Sequence, residues 1–265
     1  MTDENQGEAR EARLEESFDR IVSEGSQRVY RTWSNLFATG VVGGIDVMTG
    51  VMALLAVEAA TGDTLLAGVA FSFGLVALLL GHGELFTEGF LVPVAVVAAG
   101  EARPRDLARL WLGTLVANLV GAWVMTWLVV VALPELGRQG VEAGAYFIDL
   151  GFTARSFCLA VVAGAVITLM TRMQQGTDSV PGKIAAAVGA GFLLAGLRLD
   201  HSILDSVIIF TGLHYGHTTY GYLDYLGWLA WAIFGNVVGG VFLVTLIRLV
   251  RSRTMLREHR EQVAE

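Results

Sequence analysis

Two short runs of charged, histidine and hydroxyl-bearing residues interrupt apolar stretches that are too long for one membrane crossing. Residues 82–88 lie within the apolar stretch 64–99, and residues 198–205 lie within 184–213. A charge at bilayer depth costs roughly 2.5–3.5 kcal/mol on insertion scales, so such residues usually line an aqueous path or a site. Imidazole, carboxyl and hydroxyl groups at that depth offer hydrogen bonds and protons to a small polar solute. The candidate pathway residues are His82, Glu84, Thr87, Glu88, Asp200, His201 and Ser202.

The composition predicts that these runs belong to an all-α integral membrane protein. Of the 265 residues, 54% are hydrophobic and only 16% are charged, whereas a soluble domain needs more polar surface. At about 20 residues per crossing, we expect six spans within residues 35–250, the second and fifth broken at mid-membrane. Polar arms flank them at residues 1–34 and 251–265. The predicted spans are 35–58, 64–99, 107–133, 154–173, 183–213 and 226–250.

The placement of arginine predicts that both termini lie in the cytoplasm. Three arginines lie between residues 103 and 109 and more in the C-terminal arm, whereas the turn 59–63 and the loop 211–227 contain no Lys or Arg. The positive-inside rule then requires an even number of spans in a cell (inner) membrane. Residues 8–31 interleave Glu and Arg with apolar residues, which predicts an amphipathic cytoplasmic helix. That helix either rests on the bundle or acts as a gating lid over the inner mouth.

An internal repeat relates the two halves of the chain. Asn118 and Asn236 each begin an Asn-x-Val-Gly motif, 118 residues apart, and the same offset lays His82 on Asp200. Three spans per repeat is an odd number, so the halves must cross the membrane in opposite senses, as in inverted-repeat transporters. The motif glycines, Gly121 and Gly239, suit close helix packing in lipid. We expect the two asparagines to hold backbone rather than solute.

Several motifs resemble those of the formate/nitrite transporter family, in order, across residues 35–250. Residues 70–75 with 83–87 look like its second-helix signature, 200–203 (Asp-His-Ser-Ile) like its fifth, and 235–240 (Gly-Asn-Val-Val-Gly-Gly) like its sixth. Residues 85–88 and 109–111 are more similar to the YfdC-like branch.

The resemblance implies an aquaporin-like protomer in a homopentamer, with one pore in each protomer. It implies passage of small monovalent anions such as formate, nitrite or hydrosulfide, often with a proton. His201 would be the central histidine and Thr87 the hydroxyl on the opposing loop. Apolar constrictions would flank them, formed by Phe71, Leu85, Phe86 and Leu199.

A central histidine between apolar gates suggests how a weak-acid anion could cross. A bare anion is excluded from an apolar constriction by its desolvation cost. Imidazole, whose ordinary pKa is about 6.5, can hydrogen-bond or protonate the anion, and we expect Asp200 to hold His201 in one tautomer. Structural roles stay open for each side chain: a backbone-bonded His201, a Glu84 that ties the loop or a subunit interface, and a loop-stabilising His82.

Other functions remain as alternatives. The same architecture serves neutral-solute channels of the water, glycerol or ammonia type, and a non-transporting scaffold or sensor would use only the polar arms. An enzyme is not expected, since no nucleophile–base pair, phosphate loop or metal set is visible. We expect no cofactor, and His214 with His217 gives only a weak metal signal. The lipid bilayer is an expected partner. No nucleic-acid partner is expected, because the basic residues form no single patch.

Overall fold

The structure, a computed structural model, describes residues 21–251, and every regular element in that range is a helix. Residues 1–20 of the predicted first arm and 252–265 of the second lie outside the described residues. So does more than half of the predicted amphipathic helix 8–31, of which residues 21–29 form α1. The other helices are α2 (Trp33–Thr61), α3 (Thr64–Gly81), a 3-10 turn (Phe86–Phe90), α4 (Val92–Ala99), α5 (Pro104–Ala132), α6 (Pro134–Asp149), α7 (Ala154–Gln175), α8 (Val180–Gly196), α9 (Leu204–Tyr215), α10 (Tyr222–Val237, continued by a π segment Val238–Thr245) and α11 (Leu246–Arg251).

Five helices in the described range are long and apolar enough to cross a membrane: α2, α3, α5, α7 and the continuous helix from Tyr222 to Val250. Large apolar side chains stand on their outer surfaces; Phe73, Leu112 and Val131 are each more than 60% exposed. A soluble surface does not sustain so many exposed apolar groups, whereas lipid contact does. The predicted all-α, apolar architecture is therefore present.

Each polar run begins just after the end of a helix, close to a residue with a left-handed backbone. α3 ends at Gly81, and His82 follows with a φ of 55°. α8 ends at Gly196, and Arg198 follows with a φ of 48°. This conformation costs a non-glycine residue about 1–2 kcal/mol, and it turns the chain out of the helix. Irregular segments result at residues 82–85 and 197–203.

Buried Asn118 of α5 fixes the first irregular segment. Its Oδ1 accepts the backbone N–H of Phe86 at 2.9 Å. Its Nδ2 donates to the carbonyl of Glu84 at 2.7 Å and to that of Gly40 in α2 at 2.8 Å. The amide thus joins two helices to a segment that lacks its own helical hydrogen bonds.

Asn236 of α10 fixes the second irregular segment with the same three contacts. Its Oδ1 accepts the backbone N–H of Ser202 at 2.9 Å. Its Nδ2 donates to the carbonyls of Asp200 at 2.9 Å and of Ala160 in α7 at 2.8 Å. The two halves of the chain therefore hold their irregular segments by one shared device.

These contacts correct the predicted register of the repeat at its centre. They pair Glu84 with Asp200, an offset of 116 residues, and so bring His82 into correspondence with Arg198; both of these residues have a left-handed backbone. The predicted pairing of His82 with Asp200 at an offset of 118 is therefore wrong. The reason is a two-residue difference in the chain that joins each irregular segment to its asparagine.

Glycines of the two motifs allow the helices to approach closely, as predicted. A Cβ at Gly121 would overlap the carbonyl of Val41, and a Cβ at Gly239 would overlap that of Val161. The pairs α2–α5 and α7–α10 thus pack through equivalent contacts.

The helix α6 was not predicted. Residues 134–153 lie between two of the predicted spans, but Pro134–Asp149 form a helix whose Leu136 and Phe147 are buried. The spacing of its buried residues near three to four positions is the signal that could have shown it. α6 packs against α9 and so covers the element that follows His201.

Candidate functional site

Thr87 and His201 meet at the centre of the molecule. The Nε2 atom of His201 lies 3.1 Å from the Oγ1 atom of Thr87, and both side chains are buried. Thr87 stands on the 3-10 turn after the first irregular segment, and His201 stands in the second. Each half of the chain therefore contributes one partner, as the sequence led us to expect.

A backbone N–H, rather than a carboxylate, fixes the tautomer of His201. The N–H of Leu204 donates to Nδ1 of His201 at 3.1 Å. Because Nδ1 accepts, the neutral ring carries its proton on Nε2, which then donates to Thr87. The expectation that Asp200 holds the ring is wrong, because its Oδ1 accepts from Trp228 Nε1 at 2.8 Å instead.

Three buried polar side chains close to His201 in the chain do not use all their hydrogen-bonding atoms. Asp205 accepts the backbone N–H of His201 at 2.6 Å through Oδ2, but its Oδ1 has no partner within the described residues. The same holds for Oδ2 of Asp200 and Oγ of Ser202, and all three side chains are buried. Buried polar groups are normally satisfied, so Asp200, Ser202 and Asp205 keep hydrogen-bonding capacity that the described residues do not use.

A cavity of about 540 Å³, here called the N-terminal cavity, lies on the Thr87 side of this centre. Its wall includes the predicted pathway residues His82, Glu84 and Glu88, together with Arg28 and Lys183. His82 is exposed and does not contact His201, whereas Glu88 is buried and bonds the N–H of Leu85 at 3.4 Å.

Glu84 closes the N-terminal cavity by binding the segment that begins with α1. Its carboxylate forms ion pairs with Arg31 and, at 3.9 Å, with Arg28. Burial lowers the pKa of the Arg28 guanidinium, but Glu84, Glu88 and Glu24 outweigh it and the pKa is raised. The sequence left open a structural role for Glu84 in tying the loop or a subunit interface. It did not predict the two arginines, because partners 53 and 56 positions away in the chain leave no periodic signal.

A second, much smaller cavity of about 20 Å³, here called the Arg198 cavity, lies on the other side of His201. Leu204 and Asp205, both bonded to His201, form part of its wall. Arg198 and Glu58 form an ion pair at the same cavity. The buried centre therefore has a cavity on each side.

The four predicted constriction residues, Phe71, Leu85, Phe86 and Leu199, are all buried in the main apolar core. The ring of Phe86 packs edge-on against Phe90 at 5.1 Å and against Trp111 at 6.1 Å. Phe86 thus takes part in an aromatic cluster near α5.

Asp46 is a further intramembrane acid that sequence reasoning overlooked. It lies in the middle of α2, and a Cβ on Gly83 would come within 2.7 Å of its Oδ2. That oxygen is buried and has no partner among residues 21–251. A lone carboxyl inside a predicted span was the available signal.

Nothing in the described part of the chain forms a metal centre. No group of three or more His, Cys, Asp or Glu side chains there could hold a metal ion. The ring of His214 packs edge-on against Trp123 at 4.7 Å, and that of His217 lies 6.4 Å from Tyr215. Both histidines of the weak metal signal therefore lie against aromatic rings.

Comparison with known proteins gives relatives along nearly the whole chain. The chain is 26% identical over 220 residues to a probable formate transporter of Methanothermobacter thermautotrophicus, a match that covers 76% of this chain and 80% of the relative. It is 22% identical over 268 residues to the inner membrane protein YfdC of Escherichia coli (strain K12), covering 93% and 81%.

Solved structures share the fold. An FNT family ion channel superposes with a TM-score of 0.77 at 16% identity, covering 89% of this chain and 98% of the other. A pentameric formate channel with formate bound superposes with a TM-score of 0.67 at 20% identity, covering 83% and 97%. A family model described as formate/nitrite transporter matches residues 15–250, so the predicted resemblance is confirmed and the chain belongs to the formate/nitrite transporter family.

Proposed function

We propose that this protein is a membrane channel or transporter for small monovalent anions of weak acids, of the formate, nitrite or hydrosulfide type. The buried contact between His201 and Thr87, with a cavity on either side, is the observation that carries the proposal. Membership of the family supports transport. The formate named for two of the similar proteins supports the substrate class.

The centre offers hydrogen bonds where an anion has lost its water. Nε2–H of His201 is a donor, and the hydroxyl of Thr87 can turn its own hydrogen toward a solute while accepting from the ring. Both donors lie among buried apolar side chains, where a hydrogen bond to a charged group contributes about 1.5–3 kcal/mol. They compensate part of the desolvation cost that excludes a bare anion.

The hydrogen bond to Nδ1 decides how His201 acts on the proton. An imidazolium carries a hydrogen on both ring nitrogens, so protonating Nδ1 would set it against the N–H of Leu204. We therefore infer that His201 works as a neutral hydrogen-bond donor at Nε2, and that a proton crossing with the anion comes from water.

The membrane arrangement is part of the proposal. We propose six crossings within residues 35–250, by α2, α3–α4, α5, α7, α8–α9 and α10–α11, with the second and fifth broken at the irregular segments. The equivalent asparagine contacts support an inverted three-plus-three repeat. Both polar arms, 1–34 and 251–265, would lie in the cytoplasm. The pentameric state named for one structural neighbour supports a homopentamer in the cell membrane, with transport rather than catalysis as its role.

Flux through purified protein in proteoliposomes tests the function. Formate, nitrite, hydrosulfide, chloride and glycerol are compared between about pH 5 and 8 for the wild type, His201→Ala and Thr87→Val. Loss of one hydrogen bond to a charged group predicts a roughly 10- to 100-fold lower weak-acid flux in either variant. Valine matches threonine in shape, so Thr87→Val isolates the hydroxyl. Wild-type flux in both variants would refute the assigned centre.

A neutral-solute channel is the second candidate, favoured by the unpartnered carboxyl oxygens of Asp200 and Asp205 beside an uncharged imidazole. Negative charge there would repel an anion and leave a neutral solute unaffected. Glycerol flux that exceeds formate flux and ignores both substitutions would decide for this candidate.

A further inference from the structure

Arg198 occupies a backbone position where glycine would be the easier residue. Its φ of 48° lies in the left-handed region, which L side chains other than Asn and Asp rarely adopt. A glycine there would end α8 without that cost. A long cationic side chain at a strained position points to a use for the side chain itself.

The guanidinium is held in a defined place by two neighbours. It forms an ion pair with Glu58 of α2, and its Cζ lies 5.1 Å from the ring centre of Tyr146 in α6. The Arg198 side chain is 37% exposed and that of Glu58 is 19% exposed. Within residues 21–251, the guanidinium makes one hydrogen bond, from Nη2 to Glu58, and its other N–H groups can donate to a solute.

This guanidinium lines the small cavity beside the central histidine. Arg198, Glu58 and Asp205 line that cavity, and Arg198 is its one cation among the described lining residues. Leu204, in the same wall, donates its N–H to the imidazole of His201. The cavity that holds Arg198 is therefore joined to the imidazole through Leu204.

We propose that Arg198 determines selectivity for anions at the outer entrance, and that Glu58 is a tethered competitor for the same guanidinium; this rests on the proposed function and orientation. The carboxylate of Glu58 shows the ligand chemistry that the site accepts. Formate presents the same planar carboxylate, which a guanidinium binds through two parallel N–H groups. An incoming carboxylate displaces Glu58 and then moves on toward His201.

The competition gives the entrance its intermediate affinity. A channel site must bind strongly enough to admit an ion and weakly enough to release it. The ion pair with Glu58 lowers the affinity of Arg198 for a solute anion, while the ring of Tyr146 keeps the guanidinium in place when Glu58 is displaced.

Uptake measured separately from each face tests the proposal. Labelled formate uptake is recorded in spheroplasts, which present the outer face, and in inside-out vesicles of the same cells. Arg198→Gln should raise the half-saturating formate concentration about fivefold in spheroplasts, the effect of a partly exposed charge. It should leave that concentration unchanged in inside-out vesicles. Arg198→Lys should fall between, and Glu58→Gln should lower the value about threefold.

Arg155→Gln is the matched control, since Arg155 is also placed on the outer side but is exposed and outside both cavities. An equal shift in this control would overturn the proposal, because general surface charge would explain it. So would unchanged half-saturation in Arg198→Gln, or a Glu58→Gln variant whose half-saturation rises. If Arg198→Gln fails to fold, Glu58→Gln still decides. Absence of formate flux in the wild type would instead refute the proposed function.

Discussion

Replacing Asn236 with alanine should both loosen the fold and disturb the centre. The substitution removes three buried hydrogen bonds, which join Ser202, Asp200 and Ala160 to one amide. The N–H of Ser202 loses its acceptor, Oδ1 of Asn236, and an orphaned buried donor costs about 1–3 kcal/mol. The two carbonyls each lose a bond worth about 0.6 kcal/mol inside a membrane. We expect a loss of about 2–4 kcal/mol in unfolding free energy.

The functional effect follows from the position of the lost bonds. Ser202 and Asp200 flank His201 in the chain, so their release should move Nε2 away from Thr87. Thermal unfolding in detergent and formate flux in proteoliposomes are measured for Asn236→Ala. Asn118→Ala, which removes the equivalent three bonds on the Thr87 side, is run beside it. We expect similar losses in both variants; wild-type melting and flux in either one would refute the equivalence of the two anchors.

The remaining predictions concern packing and the N-terminal cavity. Gly164→Val should lower the melting temperature by several degrees, since even a Cβ at this position overlaps the carbonyl of Asn236. Gly189→Ala is the control, because the Cβ there meets open space, and it should leave the melting temperature unchanged or slightly higher. Glu84→Gln should break the ion pair with Arg31 and make the segment of α1 accessible to added protease. Because the Arg31 side chain is a quarter exposed, we expect the lost ion pair to cost about 1–3 kcal/mol. Protease protection equal to that of the wild type would contradict the role of Glu84 in holding this segment. Leu204→Pro, which deletes the N–H donor to His201, should release the ring tautomer and give formate flux a new dependence on pH. An unchanged pH profile would argue against that role of the backbone donor.

The all-α fold could be predicted from the sequence because it leaves a local signature, and Thr87 and His201, which the family resemblance singled out, are in contact. Apolar length predicts helices in lipid, and polar residues inside apolar stretches identify the segment that holds Thr87 and the one that holds His201. The repeated Asn-x-Val-Gly motif predicts equivalent helix pairs, and the glycine contacts agree with it.

The parts that failed depend on partners far apart in the chain or on backbone atoms. Arg198 and Glu58 are 140 positions apart, and no periodicity links them. The donor that fixes His201 is a main-chain N–H, which every residue but proline carries, so a side-chain motif could not reveal it. The predicted pairing of the two irregular segments was wrong because the chain between each segment and its asparagine differs in length by two residues. This difference cannot be seen when only the flanking motifs are aligned.

The two halves of the chain repeat the same arrangement of helices, but the left-handed residues His82 and Arg198 make the two ends of the passage chemically different. His82 and Arg198 occupy corresponding places, and each faces one of the two cavities. One mouth therefore presents an imidazole, a flat ring with two nitrogens, and the other presents a guanidinium, whose five N–H donors form a fixed fork without an acceptor. A solute that accepts hydrogen bonds consequently meets different partners at the two ends, although the helices around those ends repeat. The repeat supplies a shared frame, and unlike side chains at equivalent places distinguish its two ends.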